Sequence, residues 1–171
     1  MQHLTSLKVL NIGKREELDL FSEESDDGTH CVTIQELGIS VVHRLITLPK
    51  WIGNITPLQS LYIWVFPNLT ALFEGIGNLT SVRHLHIVGC PNLTSVPEGI
   101  GNLTSLRTLR IINCPHLKER YQRGIGEDWH KIAHIPLFRY YAYLLVFQDK
   151  IPSHSKNLYS FSTFYIQSQK L

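Results

Sequence analysis

The sequence has little net charge: 16 lysines and arginines against 14 aspartates and glutamates leave a formal charge of +2. A balance this close gives no general attraction to nucleic acid or to an anionic membrane surface. Long apolar runs are missing too, since the longest one, residues 140–147, has eight residues. A membrane-spanning helix needs roughly 20. The sequence therefore predicts no membrane span and gives no indication of nucleic-acid binding.

Cysteine is also scarce, and the three that are present, Cys31, Cys90 and Cys114, cannot all form pairs within one chain. Cys90 and Cys114 stand 24 residues apart, at equivalent places in a repeating pattern. This placement is typical of small buried side chains and favours reduced thiols. Met1 does not lead into the charged and then apolar leader of a secreted protein. We therefore expect a cytoplasmic location.

What the sequence does contain is a 24-residue repeat. The stretch 78–101, NLTSVRHLHIVGCPNLTSVPEGIG, is matched by residues 54–77 before it and by the chain from residue 102 after it. A period of 20–29 residues with apolar positions spaced L-x-x-L-x-I is typical of leucine-rich repeats. Such a unit cannot bury its own apolar side, so copies must stack. The predicted fold class is α/β: a leucine-rich-repeat solenoid with a curved parallel β-sheet on the concave face and loops and short helical turns on the convex face.

The pattern divides the chain into three parts. Residues 1–125 form the solenoid of five repeats, and an acidic insertion at 14–28 lengthens the first repeat; this insertion is either a solvated loop or a partner-binding acidic patch. Residues 126–136 are charged and amphipathic, as expected of a C-terminal cap. Residues 137–171 are rich in aromatics without repeat spacing, which predicts an irregular or partly disordered tail. No polar cap precedes the first repeat, so we expect the C-terminal piece of a longer chain or a partial product.

Within each repeat the local pattern predicts a strand, a turn and a short helical turn. Residues 84–88 alternate, so Leu85 and Ile87 are expected to point into the core and their neighbours outward. Residues 97–101, PEGIG, predict one helical turn that begins at a proline and ends at a glycine. Cys90 and Cys114 occupy an inner corner after the strand, where we expect packing and no thiol chemistry.

No residue set indicates catalysis, a metal site or a cofactor. His84 and His86 face the same way on a strand, but zinc generally takes three or four ligands and no further ligand is placed nearby. His130 and His134 lack the glutamate of a hydrolytic zinc motif. The sequence therefore predicts a protein that is not an enzyme. Five Asn-x-Thr triplets recur with the repeat and would carry glycans only in a secreted protein: those beginning at Asn54, Asn68, Asn78, Asn92 and Asn102.

Outward positions of successive strands form columns across the predicted sheet, with about 5 Å between strands. Concave faces of repeat proteins bind extended partners, and Tyr, Trp and Arg are the residue types that contribute most to interfaces. Neutral surface is the alternative, because single exposed aromatics are common. The candidate partner-binding residues are Tyr62, Trp64, His84, His86, Arg110, Asn11, Glu36 and Thr108.

The register Asn-Leu-Thr-Ser-Leu-x-x-Leu-x-Ile-x-x-Cys-Pro-x-Leu, followed by Val/Leu-Pro-x-x-Ile-Gly, resembles the C-terminal repeats of plant nucleotide-binding leucine-rich-repeat disease resistance proteins. Residues 114–121, CPHLKERY, and 126–136, GEDWHKIAHIP, are similar to the closing motif of the coiled-coil subclass. The resemblance covers residues 1–136 and not the tail. The chain carries no G-x-x-x-x-G-K-[ST] loop to cradle phosphates, so nucleotide binding does not carry over to these residues.

The resemblance implies a recognition module of an intracellular immune receptor. Its expected partner is a protein: a pathogen effector, a guarded host protein or the receptor's own nucleotide-binding domain. Two alternatives stay open. One is an extracellular leucine-rich-repeat inhibitor of a microbial enzyme, for which glycosylation and disulfide-bonded caps are expected; the other is a truncated product without an independent role.

Overall fold

The computed structural model describes residues 8–13, 34–40 and 45–142. These residues form six strands, two short α-helices and three 3₁₀ turns. The strands are β1 (Val9–Gly13), β2 (Glu36–Ser40), β3 (Ser60–Trp64), β4 (His84–Val88), β5 (Thr108–Ile112) and β6 (Leu137–Tyr141). The helices are α1 (Pro115–Arg120) and α2 (Trp129–Ile132), and the 3₁₀ turns are Lys50–Asn54, Glu74–Asn78 and Glu98–Asn102. The acidic insertion, Cys31 and residues 143–171 lie outside the described residues.

All six strands pair in parallel and in chain order, from β1 to β6. The prediction of an α/β fold with a parallel sheet is confirmed, and the sheet is compatible with a repeat solenoid. Leu61 pairs with Leu85, and Leu85 with Leu109; all three are completely buried. A shift of 24 residues thus carries each leucine onto the next, as the sequence predicts.

The three 3₁₀ turns have a sequence cause. Each begins after an extended residue, which is Pro49 or Pro97 in two of them, and proline fixes the backbone angle at a point where no N–H is needed. The isoleucine inside each turn is fully buried: Ile52, Ile76 and Ile100. A second line of parallel bridges, from Thr47 to Ala71 to Ser95, joins the segments between strand and turn.

The residue that follows a strand has a left-handed backbone conformation at three equivalent places. The φ angle is 58° at Val65, 67° at Gly89 and 54° at Asn113. Glycine and asparagine tolerate this conformation, whereas a β-branched side chain does so at a cost. The chain turns here into the corner that holds Phe66, Cys90 and Cys114, all fully buried.

β6 differs from the sequence prediction of an irregular tail. Leu137–Tyr141 pairs along its whole length with β5, with the Leu137 N–H donating to the Arg107 carbonyl at 3.0 Å and the Asn113 N–H donating to the Tyr141 carbonyl at 2.9 Å. The prediction of irregular structure does not hold for these five residues. The physical reason is that the edge of β5 presents backbone donors and acceptors, and any extended segment of suitable composition can pair with them.

α1 and α2 cover the end of the core beside the last 3₁₀ turn. Tyr121 and Ile132 are buried, and the Trp129 ring lies 6.0 Å from the Phe138 ring in an edge-on arrangement. Trp129 is half-buried against the core, in keeping with a role as part of a cap. No helix among the described residues is long and apolar enough to cross a membrane.

Candidate functional site

The candidate site lies on the face of the sheet that is turned away from the core. On β4, Leu85 and Ile87 are fully buried, while His84 is exposed and His86 and Val88 are half-buried. The two-residue period of a strand produces this division, and the ladder register repeats it from strand to strand. We call six residues on the outer face the sheet-face patch: Tyr62, Trp64, His84, His86, Arg110 and Arg139.

Three rings of the patch are in contact. The Tyr62 and Trp64 ring centroids are 5.4 Å apart, and those of Tyr62 and His86 are 5.0 Å apart with planes at 89°. The first pair arises because the two residues are two apart on β3; the second arises because Tyr62 pairs with His86 in the ladder. Each ring is half-buried. Contact between neighbours restricts their rotamers and leaves an ordered, partly apolar surface.

Cationic residues continue from this cluster across the sheet. His86 pairs with Arg110, and Arg110 pairs with Arg139, so three basic side chains stand in a row on neighbouring strands about 4.8 Å apart. Both arginines are exposed. Burial, together with electrostatic interactions with Arg110 and His84, lowers the pKa of His86 to about 4. His86 is therefore neutral at pH 7.

The ion pairs found among the described residues belong to the cap and the last 3₁₀ turn, and they involve Arg120, Lys131 and His130 with their acidic partners. Neither Arg110 nor Arg139 has a carboxylate partner in the described part of the chain. The positive charge on the sheet-face patch is therefore not neutralised by those residues.

The other predicted binding residues lie outside this patch. Asn11 is exposed on β1, and Glu36 is half-buried on β2, the strand next to β3. Thr108 lies between His84 and Leu137 in the ladder and is only 8% exposed. It is therefore buried, whereas the sequence predicts an exposed position for it on the outer face.

Sequence reasoning missed Arg139, because residues 137–141 do not match the repeat. The one available signal is the composition of LFRYY, where aromatic and apolar residues favour a strand. Five residues of this kind are too few to show which strand they pair with. Only the ladder with β5 brings Arg139 next to Arg110.

The two described thiols lie in the core corner. Cys90 and Cys114 are both fully buried, and the Cys114 thiol lies 3.4 Å from the Ile112 carbonyl. A hydrogen bond with Cys114, together with burial, raises the pKa of Cys90. A protonated, buried thiol is a poor nucleophile. Packing is the role that this geometry supports.

The described residues contain no group of three or more His, Cys, Asp or Glu side chains placed to hold a metal ion. His130 lies 3.0 Å from the Glu127 carbonyl and 4.0 Å from the Glu98 carboxylate, so it belongs to the cap contacts.

A shallow polar groove of about 580 Å³ runs along the edge where the strands begin, beside Gln59, Arg83 and Thr104.

All five asparagines of the Asn-x-Thr triplets are exposed; the Asn92 side chain donates to the Pro67 carbonyl at 2.7 Å.

Comparison of the chain with protein-family models and with curated proteins gives no match in either case. The geometry of the sheet face therefore carries the functional argument.

Proposed function

We propose that this chain is a non-catalytic protein-recognition module: a leucine-rich-repeat solenoid of the kind found in plant intracellular immune receptors, acting in the cytoplasm. The repeat register and the closing motif support the family assignment. The observation that carries the binding role is the contact of Tyr62 with both Trp64 and His86 on an outer sheet face, next to the exposed Arg110.

Recognition by this face has an energetic basis. Aromatic and arginine side chains at the centre of an interface often contribute about 2 kcal/mol or more each when a partner excludes water from them. Tyr62 and Trp64 are already held in place by neighbouring rings, so binding would cost them little conformational entropy. A pathogen effector, a guarded host protein or the receptor's own nucleotide-binding domain would contact the patch as a protein surface.

The test is proximity labelling in leaf cells with the intact chain and with a variant that combines Tyr62→Ala, Trp64→Ala and Arg110→Ala. We expect the variant to lose the partners that the unchanged chain labels. The matched control replaces two exposed isoleucines and one exposed arginine elsewhere: Ile46→Ala, Ile125→Ala and Arg123→Ala. Equal loss in both variants, or loss in neither, would contradict a specific role for the sheet-face patch.

One observation favours the extracellular alternative: all five candidate glycan acceptors are exposed. Intact-mass measurement of the protein purified from plant tissue, before and after glycan removal, separates the two functions. A cytoplasmic receptor module shows no mass change. A loss of several hexose-containing glycans would instead favour a secreted inhibitor.

A further inference from the structure

In the row His86, Arg110 and Arg139, the two arginines place like charges in register on neighbouring strands. Like charges directly opposite one another destabilise a sheet. The described acidic residue closest to this row among the outer strand positions is Glu36, but it lies on β2 and β3 separates it from β4. The row therefore carries an unbalanced positive charge that the described fold does not need for its own stability.

The aromatic and cationic parts of the patch have a defined order across the sheet. Tyr62 and Trp64 lie on β3, the imidazoles on β4, Arg110 on β5 and Arg139 on β6. Three strand spacings correspond to about 14 Å, the length of roughly four extended residues. A partner chain that crosses the strands meets apolar rings first and guanidinium groups next.

We propose that the sheet-face patch binds an acidic protein segment, in which an apolar side chain packs on Tyr62 and Trp64 and carboxylates two to four residues further along pair with Arg110 and Arg139. This inference rests on the proposed function and adds the chemistry of the partner. Carboxylates fit because guanidinium groups bind them with two parallel hydrogen bonds, and the N–H of the neutral His86 ring can donate one more.

The same surface explains why a basic partner is disfavoured. A lysine or arginine that approaches the row adds a third positive charge and meets no carboxylate of the described residues there. Approach of an acidic segment removes the repulsion between Arg110 and Arg139 as it binds. Selectivity thus comes from both attraction and repulsion.

The experiment measures fluorescence anisotropy of labelled peptides with the full chain. The acidic probe is a twelve-residue peptide in which one leucine is followed by three glutamates, and the matched probes carry glutamine or lysine at those three positions. We expect the acidic peptide to bind most tightly and to lose affinity as salt rises. Arg110→Glu and Arg139→Glu should each weaken it roughly fivefold.

The double variant, Arg110→Glu with Arg139→Glu, should bind the lysine peptide in preference to the acidic one. Arg123→Glu makes the same change of charge at an exposed residue outside the patch and should leave the peptide preference unchanged. The variant Arg110→Lys with Arg139→Lys keeps both positive charges and should still prefer the glutamate peptide, although less strongly. This result would show that the glutamate variants lose affinity through the change of charge and not through misfolding.

Three outcomes overturn the proposal. If the glutamate and glutamine peptides bind equally and both depend on Tyr62 and Trp64, the acidic partner is wrong and protein recognition by the patch stands. If a thymidine oligonucleotide binds more tightly than the acidic peptide and depends on both arginines, the partner is a nucleic acid. If Arg123→Glu weakens binding as much as Arg110→Glu, the attraction is general and the patch is not a site.

Discussion

The hydroxyl of Tyr121 accepts a hydrogen bond from the backbone N–H of Val96 at 3.0 Å, across 25 residues of chain. Both residues are almost completely buried. The contact fastens the segment after α1 to the strand-to-turn segment of the preceding repeat, and it satisfies a donor that water cannot reach. Burial also raises the pKa of Tyr121 to about 12, so the hydroxyl stays protonated at neutral pH.

Tyr121→Phe should lower the free energy of unfolding by about 1–3 kcal/mol, because the Val96 N–H would stay buried without an acceptor. Urea unfolding measures the change. Gln122→Ala removes an exposed neighbour and should change stability by less than about 0.5 kcal/mol. Equal stability of Tyr121→Phe and the unchanged chain would contradict this role of the hydroxyl.

Asp128 is the buried acidic centre of the cap. One of its oxygens accepts from Arg120, and the other lies 2.8 Å from the Lys131 ammonium, which also contacts Glu98 at 2.7 Å. Burial by itself raises the pKa of Asp128, but the hydrogen bonds and charges of Arg120 and Lys131 outweigh it and the net pKa is lowered. A lowered folded-state pKa contributes stability above the unfolded-state pKa and loses it as pH falls below about 4.

Asp128→Asn should therefore cost about 1.5–3 kcal/mol at pH 7 and should reduce the loss of stability on acidification. The control is Glu127→Gln, which changes a carboxylate that also contacts Arg120 but is 75% exposed; it should cost less than about 1 kcal/mol. Urea titrations at pH 7 and pH 3 measure the free energy of unfolding at each pH and therefore its loss on acidification. Parallel pH profiles for Asp128→Asn and the unchanged chain would disprove the assignment.

Gly77 and Gly101 lie at equivalent positions of successive repeats, so the same substitution at each gives a test and its control. A Cβ on Gly77 would lie 2.9 Å from the Gly99 carbonyl of the next 3₁₀ turn, whereas a Cβ on Gly101 would meet only the Lys131 carbonyl at 3.9 Å. Gly77→Ala should destabilise the chain by about 1–3 kcal/mol through overpacking. Gly101→Ala should be tolerated. Similar melting temperatures for the two variants would show that the turns do not pack as closely as described.

Val65 is the one β-branched residue among the three equivalent left-handed positions. Val65→Asn, which introduces the residue found at position 113, should stabilise the chain by roughly 1 kcal/mol because asparagine tolerates positive φ. The same substitution at Val88, an ordinary strand residue, should destabilise it because asparagine disfavours strands. A stabilising Val88→Asn or a destabilising Val65→Asn would refute the conformational argument.

His86 should titrate near pH 4 in NMR spectra of its ring protons, since its folded-state pKa is about 4 against an ordinary 6.5. A depressed histidine pKa means that stability is full above about pH 6.5 and falls as pH drops toward 4. His86→Gln should remove that part of the pH dependence, and Arg110→Gln should raise the pKa of His86. A His86 pKa at its ordinary value would show that the ring is neither buried nor close to positive charge.

Much of the sheet could be predicted from residue order alone. Leu61, Leu85 and Leu109 recur every 24 residues, and parallel pairing at that offset buries all three, as the structure confirms. The contact of Tyr62 with His86 follows from the same offset. Repetition made these predictions possible because each unit experiences almost the same surroundings.

The sixth strand and the cap contacts could not be predicted in this way, because they occur once. Arg139 gains its place beside Arg110 only through the edge of β5, and Tyr121 reaches Val96 only after α1 has turned back on the core. Neither relationship has an equivalent elsewhere in the sequence from which to infer it.

The amino-acid order by itself thus determined the period, the alternation of inward and outward residues on β4 and the burial of the leucines, since local alternation and a fixed offset are enough for these. Tertiary structure alone decided that the ladder continues to Leu137–Tyr141 and that positive charge accumulates at that end of the sheet. The physical reason is that an open strand edge accepts any suitable extended segment, whatever its position in the repeat pattern.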